Sequence, residues 1–201
     1  MSIEALNHSA MTIVPGGGPH EFTVAHPDLK VECYGYGVSF SSSTCPIITC
    51  HSVQYYKSHG VIPRGYKPNR DNRILEIGAG LAEFVPWIVQ NLRGSSRERP
   101  VVIDPLNYSL VINSLELALR QVISEEAQTL IMRLLDRAKI YSDPSKVNLI
   151  SARLEEVLDA TELQNQYDLV VDCQAGFYSG IESSELMRLK ESLKRRKKFF
   201  I

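Results

Sequence analysis

From residue 73 onward the chain alternates short apolar runs with longer amphipathic stretches. The runs are almost continuously apolar, as expected of strands buried on both faces of a parallel sheet. They are RILEIG (73–78), PVVIDP (100–105), VNLISA (147–152) and YDLVVDC (167–173). In the stretch after the first run, Phe84, Ile88 and Leu92 fall on one helical face. Strands separated by helices in this order predict an α/β fold with an open, mainly parallel sheet and flanking helices.

The interval between the second and third runs is long enough for two helices. Ser124, followed by Glu125 and Glu126, is typical of an N-cap with acids in the first helical turn. An apolar stripe at helical spacing follows: Leu130, Ile131, Leu134, Leu135 and Ala138. We expect this second helix to be an elaboration of the crossover between two neighbouring strands.

The first 70 residues differ from the rest of the chain in their residue types and in their pattern of apolar positions. EFTVA (21–25) and KVECYGYGVSF (30–40) are rich in β-branched and aromatic residues, which predicts short strands or a hairpin. HSVQYYKSH (51–59) predicts a short helix closed by Gly60. We therefore expect an N-terminal segment, residues 1–70, followed by an α/β domain, residues 71–201.

Composition is that of a soluble globular protein. The 201 residues are 44% hydrophobic and 22% charged, and the net charge of −1 provides no overall field to attract nucleic acid or an anionic membrane. No apolar run reaches the roughly 18 residues of a membrane helix, and the N-terminus lacks the pattern of a signal peptide. These features predict a cytoplasmic protein without a membrane partner.

Two local clusters of residues could indicate a metal site or a nucleic-acid contact. Cys45 and Cys50 lie five positions apart beside His51, but this is not the CxxC spacing of a zinc site and no second pair follows, so we predict no metal. The basic run KRRKK (194–198) is the kind of cluster that can bind the phosphates of a nucleic acid. A solvated helix C-terminus explains it better because the rest of the chain is not basic, and nucleic acid is not an expected partner.

The first strand leads into a glycine turn, Gly78-Ala79-Gly80. Glycines at such a turn let the backbone approach a ligand closely. The dinucleotide fingerprint GxGxxG requires a third glycine or alanine where this chain has Glu83. The small residue is Ala82 instead. The strand before the turn carries an acid, Glu76, whose burial would be costly without a partner.

These residues resemble motif I, (D/E)xGxGxG, of the class I S-adenosylmethionine-dependent methyltransferases. The resemblance extends from Arg73 to the end of the chain and implies a Rossmann-like sheet, S-adenosylmethionine as cofactor and methyl transfer as the activity. It implies that Glu76 and Gly78, Ala79 and Gly80 bind the cofactor. By the same resemblance Asp104 accepts the ribose hydroxyls, Pro105 and Leu106 lie against the adenine, and Arg153 and Asp172 complete the cofactor site.

The methyl acceptor is not named by the sequence. No NPPY-type tetrapeptide follows the fourth strand, where DCQAGFY stands instead. Asp172 and Tyr178 are the nearest polar candidates for a catalytic role in positioning a small-molecule or protein acceptor. The N-terminal segment is a candidate substrate lid. In it His51, Tyr55 and Tyr56 either line the lid or belong to an amphipathic helix packed on the sheet, which we favour.

The chain departs from the family pattern at three places. Ala82 replaces the third glycine, and Arg153 replaces the acid that usually follows the third strand. The chain ends at KKFFI (197–201), which looks like the start of a fifth strand, so the last two strands of the family sheet have no sequence here. Either the chain is a fragment, or a partner or the N-terminal segment covers that sheet edge.

Three alternatives remain open on the sequence. A nicotinamide or flavin oxidoreductase uses a similar turn, although Glu83 argues against it. A non-catalytic nucleoside-binding or interaction module would keep the pocket without the reaction. An aminopropyl transferase similar to the polyamine synthases has the same fold and a related cofactor.

Overall fold

The computed structural model describes residues 11–16, 21–33, 38–42, 48–63, 65–69, 71–92, 98–122, 124–157, 160–172 and 182–194. Within them the chain is mixed α/β, with a four-stranded parallel sheet, a four-stranded antiparallel sheet and helices. These elements form two compact units. One takes the described parts of Met1–Cys50 and Leu106–Ser142, and the other those of His51–Pro105 and Asp143–Ile201. The predicted segment 1–70 therefore contributes residues to both units.

The helices and strands follow one another along the chain in a fixed order. They are β1 (Thr12–Pro15), β2 (Phe22–His26), β3 (Leu29–Cys33), β4 (Val38–Ser42), α1 (Val53–Ser58), β5 (Ile74–Ile77), α2 (Phe84–Asn91), β6 (Val101–Ile103), α3 (Tyr108–Gln121), α4 (Glu125–Tyr141), β7 (Asn148–Ile150), β8 (Leu169–Asp172) and α5 (Ser183–Leu193). Short 3₁₀ helices lie at Leu154–Glu156 and Thr161–Leu163. Among the described residues, no helix is both long and apolar enough to cross a membrane.

The first unit is built on the antiparallel sheet, whose strands pair in chain order, β1-β2-β3-β4. Val24, Val31 and Phe40 lie opposite one another on the three inner positions and are buried. The predicted hairpin is thus part of a larger meander. Helix α3 packs on β2 and β3, and α4 packs on β4 and on α3. Helix α4, predicted as an elaboration of the crossover, therefore packs together with α3 on this sheet.

The second unit is built on the parallel sheet, with strand order β7-β6-β5-β8. The four predicted apolar runs supply these strands, and all their pairings are parallel. The last residues of the strands lie level with one another, because Ile77 pairs with both Ile103 and Asp172, and Ile103 pairs with Ile150. The residues after these strands therefore meet at one edge of the sheet.

Helices cover both faces of the parallel sheet. Successive side chains of a strand point to opposite faces, and Leu75 and Ile77 of β5 share one face with an apolar cluster that includes α5. The cluster contains Ile103, Leu154, Leu163, Tyr167, Val170, Leu189 and Leu193. The opposite face carries Glu76, where Tyr56 of α1 makes a hydrogen bond to it and packs against Phe84 of α2. Helices α1 and α2 therefore lie on the face opposite α5.

The predicted helix signals are confirmed where the structure describes them. Ser124 is the N-cap of α4 and accepts a hydrogen bond from the Ala127 N–H. The structure also places Pro86 as the third residue of α2, in the first turn, where a missing N–H is tolerated. Gly60 closes α1 with a φ of 68°. After α5, Lys194 forms a parallel bridge with Tyr167, whereas KKFFI, the predicted fifth strand, lies outside the described residues.

Candidate functional site

The turn after β5 depends on its two glycines. Gly78 has a φ of 63° and Gly80 a φ of 53°, which is the left-handed region that costs any L-residue with a side chain about 1–2 kcal/mol. The Gly78 N–H donates to the carbonyl of Ile103 at 2.8 Å, so the turn is attached to β6. Ala79 and Ala82 are completely buried. The small residues of the motif are therefore required by the backbone and by the packing beneath the turn.

Asp104 forms hydrogen bonds both to the glycine turn after β5 and to the end of β7. It follows β6 directly, is only 2% exposed, and accepts a hydrogen bond from the Gly80 N–H through Oδ2 at 2.7 Å. Its own N–H donates to the carbonyl of Ile150 at the end of β7, at 3.1 Å. The carboxylate is thus held against the glycine turn at the carboxyl edge of the sheet.

Glu76 is a fully buried acid in the middle of β5. The Tyr56 hydroxyl donates to Glu76 Oε1 at 2.9 Å, and Tyr56 is itself fully buried. A buried carboxylate is tolerated only when such donors compensate for its lost hydration. The sequence singled out the acid, but no pattern in the chain identified Tyr56, 20 residues earlier, as its partner.

Glu83 connects the beginnings of α1 and α2. It is the N-cap of α2, and its N–H donates to the carbonyl of His51 at 2.8 Å. Its Oε2 accepts from the N–H of Val53, the first residue of α1, at 2.9 Å. This double contact was not predicted, because sequence analysis considered Glu83 only as a departure from the dinucleotide fingerprint.

Three further predicted cofactor residues, Pro105, Leu106 and Arg153, lie after β6 and β7. Pro105 is half-buried directly after Asp104, and Leu106 is buried but belongs to the other unit. Arg153 follows β7, and its N–H donates to Glu156 Oε2 at 2.8 Å. Its guanidinium group lies 3.9 Å from the Glu155 carboxylate and is half-exposed. The described contacts of Arg153 are therefore those of a local turn.

Asp172 ends β8 on the other side of β5 from Asp104. Because each of β6 and β8 is paired with β5, the two acids lie roughly 10 Å apart, two strand spacings. The Asp172 carboxylate is 6% exposed and makes an ion pair of 2.9 Å with Lys190 of α5. Tyr178, the other predicted catalytic residue, lies outside the described residues.

Replacing Lys190 with alanine is expected to lower the free energy of unfolding by about 1–2 kcal/mol, because it removes a cation from a mostly buried carboxylate. Lys146→Ala is the matched control, since the Lys146–Asp143 pair is more exposed and should contribute at most about 0.5 kcal/mol. Urea denaturation of both variants measures the difference. Equal effects would contradict a structural role for the Lys190–Asp172 pair.

The described residues contain no group of three or more His, Cys, Asp or Glu side chains arranged to hold a metal ion. Cys45 lies outside the described residues. Burial raises the pKa of the Cys50 thiol to about 11, with the nearby Arg137 acting in the opposite direction. Because metal ions bind the thiolate, this environment does not favour Cys50 as a ligand.

Taken together, the carboxyl edge of the parallel sheet carries a tight glycine turn with the Asp104 carboxylate bonded to it, while the Asp172 carboxylate is paired with Lys190 of α5. Carboxylates accept hydrogen bonds from hydroxyl groups and attract cations, whereas they repel phosphates. The edge is therefore suited chemically to a diol or a cationic ligand. Comparison of the chain with known protein families and with curated proteins finds no match.

Proposed function

We propose that the protein is an S-adenosylmethionine-dependent methyltransferase. The observation that carries the proposal is the hydrogen bond between Asp104, at the end of β6, and Gly80, in the turn after β5. A nucleoside bound on that turn presents its ribose diol to the carboxylate beside it. An acid following the second strand, about 20 residues after the glycines, is the general solution for ribose recognition in such sheets.

The strand order supports the same location. Numbered within the parallel sheet, the order β7-β6-β5-β8 is 3-2-1-4, and the direction of chain progression reverses between β5 and β8. In open α/β sheets, ligands bind outside the carboxyl ends of the strands at this reversal. Gly78, Gly80 and Asp104 lie at that edge, and Asp172 lies across the reversal from them.

The ligand chemistry favours S-adenosylmethionine over a dinucleotide. S-adenosylmethionine carries a sulfonium and an ammonium group but no phosphate, which suits an edge with the Asp104 carboxylate. The ribose would lie at Asp104 and the methionine part across the glycine turn toward β8. Methyl transfer is an in-line displacement, in which the acceptor's lone pair forms a bond to the methyl carbon while the carbon–sulfur pair returns to sulfur. The protein's main contribution is alignment of the two reactants.

The acceptor would reach the methyl group from the β8 side of the turn. In this proposal Asp172 positions the acceptor, together with Tyr178. The Lys190 partner keeps the Asp172 carboxylate at the end of the strand. A general base is required only if the acceptor must lose a proton before or during attack.

The proposal is tested by calorimetric titration of the purified chain with S-adenosylmethionine, S-adenosylhomocysteine and NAD in parallel. We expect saturable binding of the first two and none of NAD. Binding of NAD alone would replace the proposal with an oxidoreductase. Absence of binding by all three would reject a nucleoside site on this turn.

A further inference from the structure

Glu83 occupies the position of the third glycine in the dinucleotide fingerprint, at the start of the helix that follows the turn. In dinucleotide-binding sheets a glycine stands here, and the pyrophosphate lies against free N–H groups at the start of the following helix. In this chain the residue is the N-cap of α2 and carries a carboxylate. The start of α2 therefore has a negative side chain where phosphate-binding folds have none.

The N–H group of Glu83 is also engaged by the protein itself. It donates to the carbonyl of His51 at 2.8 Å, while the carboxylate accepts from the Val53 N–H at 2.9 Å. Tyr56, one turn further along α1, is fixed by its hydrogen bond to Glu76 and by a ring contact with Phe84 at 5.7 Å between centroids. The segment from His51 to Tyr56 is thus fastened to the start of α2 at several points.

We propose that Glu83 is a specificity-determining residue that excludes ligands with a 5′-phosphate from the glycine turn, so that the site accepts nucleosides with a neutral or cationic 5′-substituent. This inference rests on the proposed nucleoside site. Exclusion has two components: the Glu83 carboxylate repels the phosphate, and the His51 carbonyl takes a helix N–H that a phosphate would use. The first component depends on charge and falls with added salt.

The test compares adenosine with adenosine 5′-monophosphate, which differ only in the phosphate. Glu83→Gln removes the charge and keeps an oxygen that accepts from Val53. In the wild-type protein, adenosine should bind at least tenfold more tightly than the monophosphate. In Glu83→Gln this ratio should fall roughly tenfold, with adenosine affinity unchanged within twofold. Glu191→Gln, an exposed acid on α5, is the control and should leave the ratio unchanged.

Each result separates this inference from the proposed function. If adenosine and S-adenosylhomocysteine bind but the ratio is the same in Glu83→Gln, Glu83 does not determine specificity. If neither ligand binds the wild-type chain, the nucleoside site itself is wrong. Titration of the wild-type chain at about 20 and 500 mM salt needs no variant, and a ratio that does not fall with salt would overturn the electrostatic component.

Discussion

Replacing Asp104 with alanine is expected to weaken S-adenosylhomocysteine binding by at least 100-fold. In the proposed site the carboxylate accepts two hydrogen bonds from the ribose, and hydrogen bonds to a charged group contribute about 1.5–3 kcal/mol each. The substitution also removes the buried partner of the Gly80 N–H, which loosens the turn that is proposed to bind the ligand. Calorimetric titration with S-adenosylhomocysteine measures the loss directly.

Two further variants separate recognition from folding. Asp104→Asn keeps one oxygen acceptor and should fall between alanine and the wild type. Asp136→Asn changes an exposed acid on α4 and should leave the affinity unchanged. Thermal unfolding of each variant shows whether the fold is retained. If folded Asp104→Ala binds S-adenosylhomocysteine within threefold of the wild type, Asp104 is not the ribose acceptor.

The parallel sheet could be predicted from the sequence because its signals are local. A strand buried on both faces must be apolar at nearly every position, and β5, with the pattern Ile-Leu-Glu-Ile, meets that condition at all but one. The exception, Glu76, was recognised as a residue that requires a partner. The turn after β5 could also be predicted from the sequence, because only glycine adopts the positive φ of residues 78 and 80 without strain.

The antiparallel sheet was predicted only in part. Strand β1, with the pattern Thr-Ile-Val-Pro, was missed because it is four residues long and exposed throughout, so burial imposes no alternation on it. Helix α4 was located by its apolar stripe, whereas α3 was expected only from the length of the interval. Such a stripe shows that a helix has a buried face but does not identify the surface it packs on, which here is the antiparallel sheet.

The contacts of Glu83 and Tyr56 could not be predicted because they connect residues far apart in the chain. Glu83 binds Val53, 30 positions earlier, and Tyr56 binds Glu76, 20 positions later. Neither pair has a periodicity or a spacing rule. A single sequence shows that the two acids are unusual in their positions, and the fold shows that both are used to hold α1 beside the glycine turn.

Replacing Gly80 with alanine is expected to reduce S-adenosylhomocysteine affinity at least tenfold, while Gly60→Ala leaves it unchanged. Both glycines have a positive φ, 53° and 68°, so each substitution carries a backbone cost of about 1–2 kcal/mol. An added Cβ at Gly60 meets no atom within 4 Å, which makes that variant a measure of backbone strain alone. At Gly80 the same strain shifts the N–H that is bonded to Asp104.

The variants Gly80→Ala and Gly60→Ala therefore distinguish a turn that binds a ligand from a turn that only ends a helix. Chemical denaturation should show a loss of stability in both variants, and a larger one in Gly80→Ala, because that substitution also shifts the N–H bonded to buried Asp104. Calorimetric titration with S-adenosylhomocysteine should show a loss only in Gly80→Ala, since in the proposed site the ligand approaches the backbone at this turn. Equal affinities of the two folded variants would place the ligand away from the glycine turn.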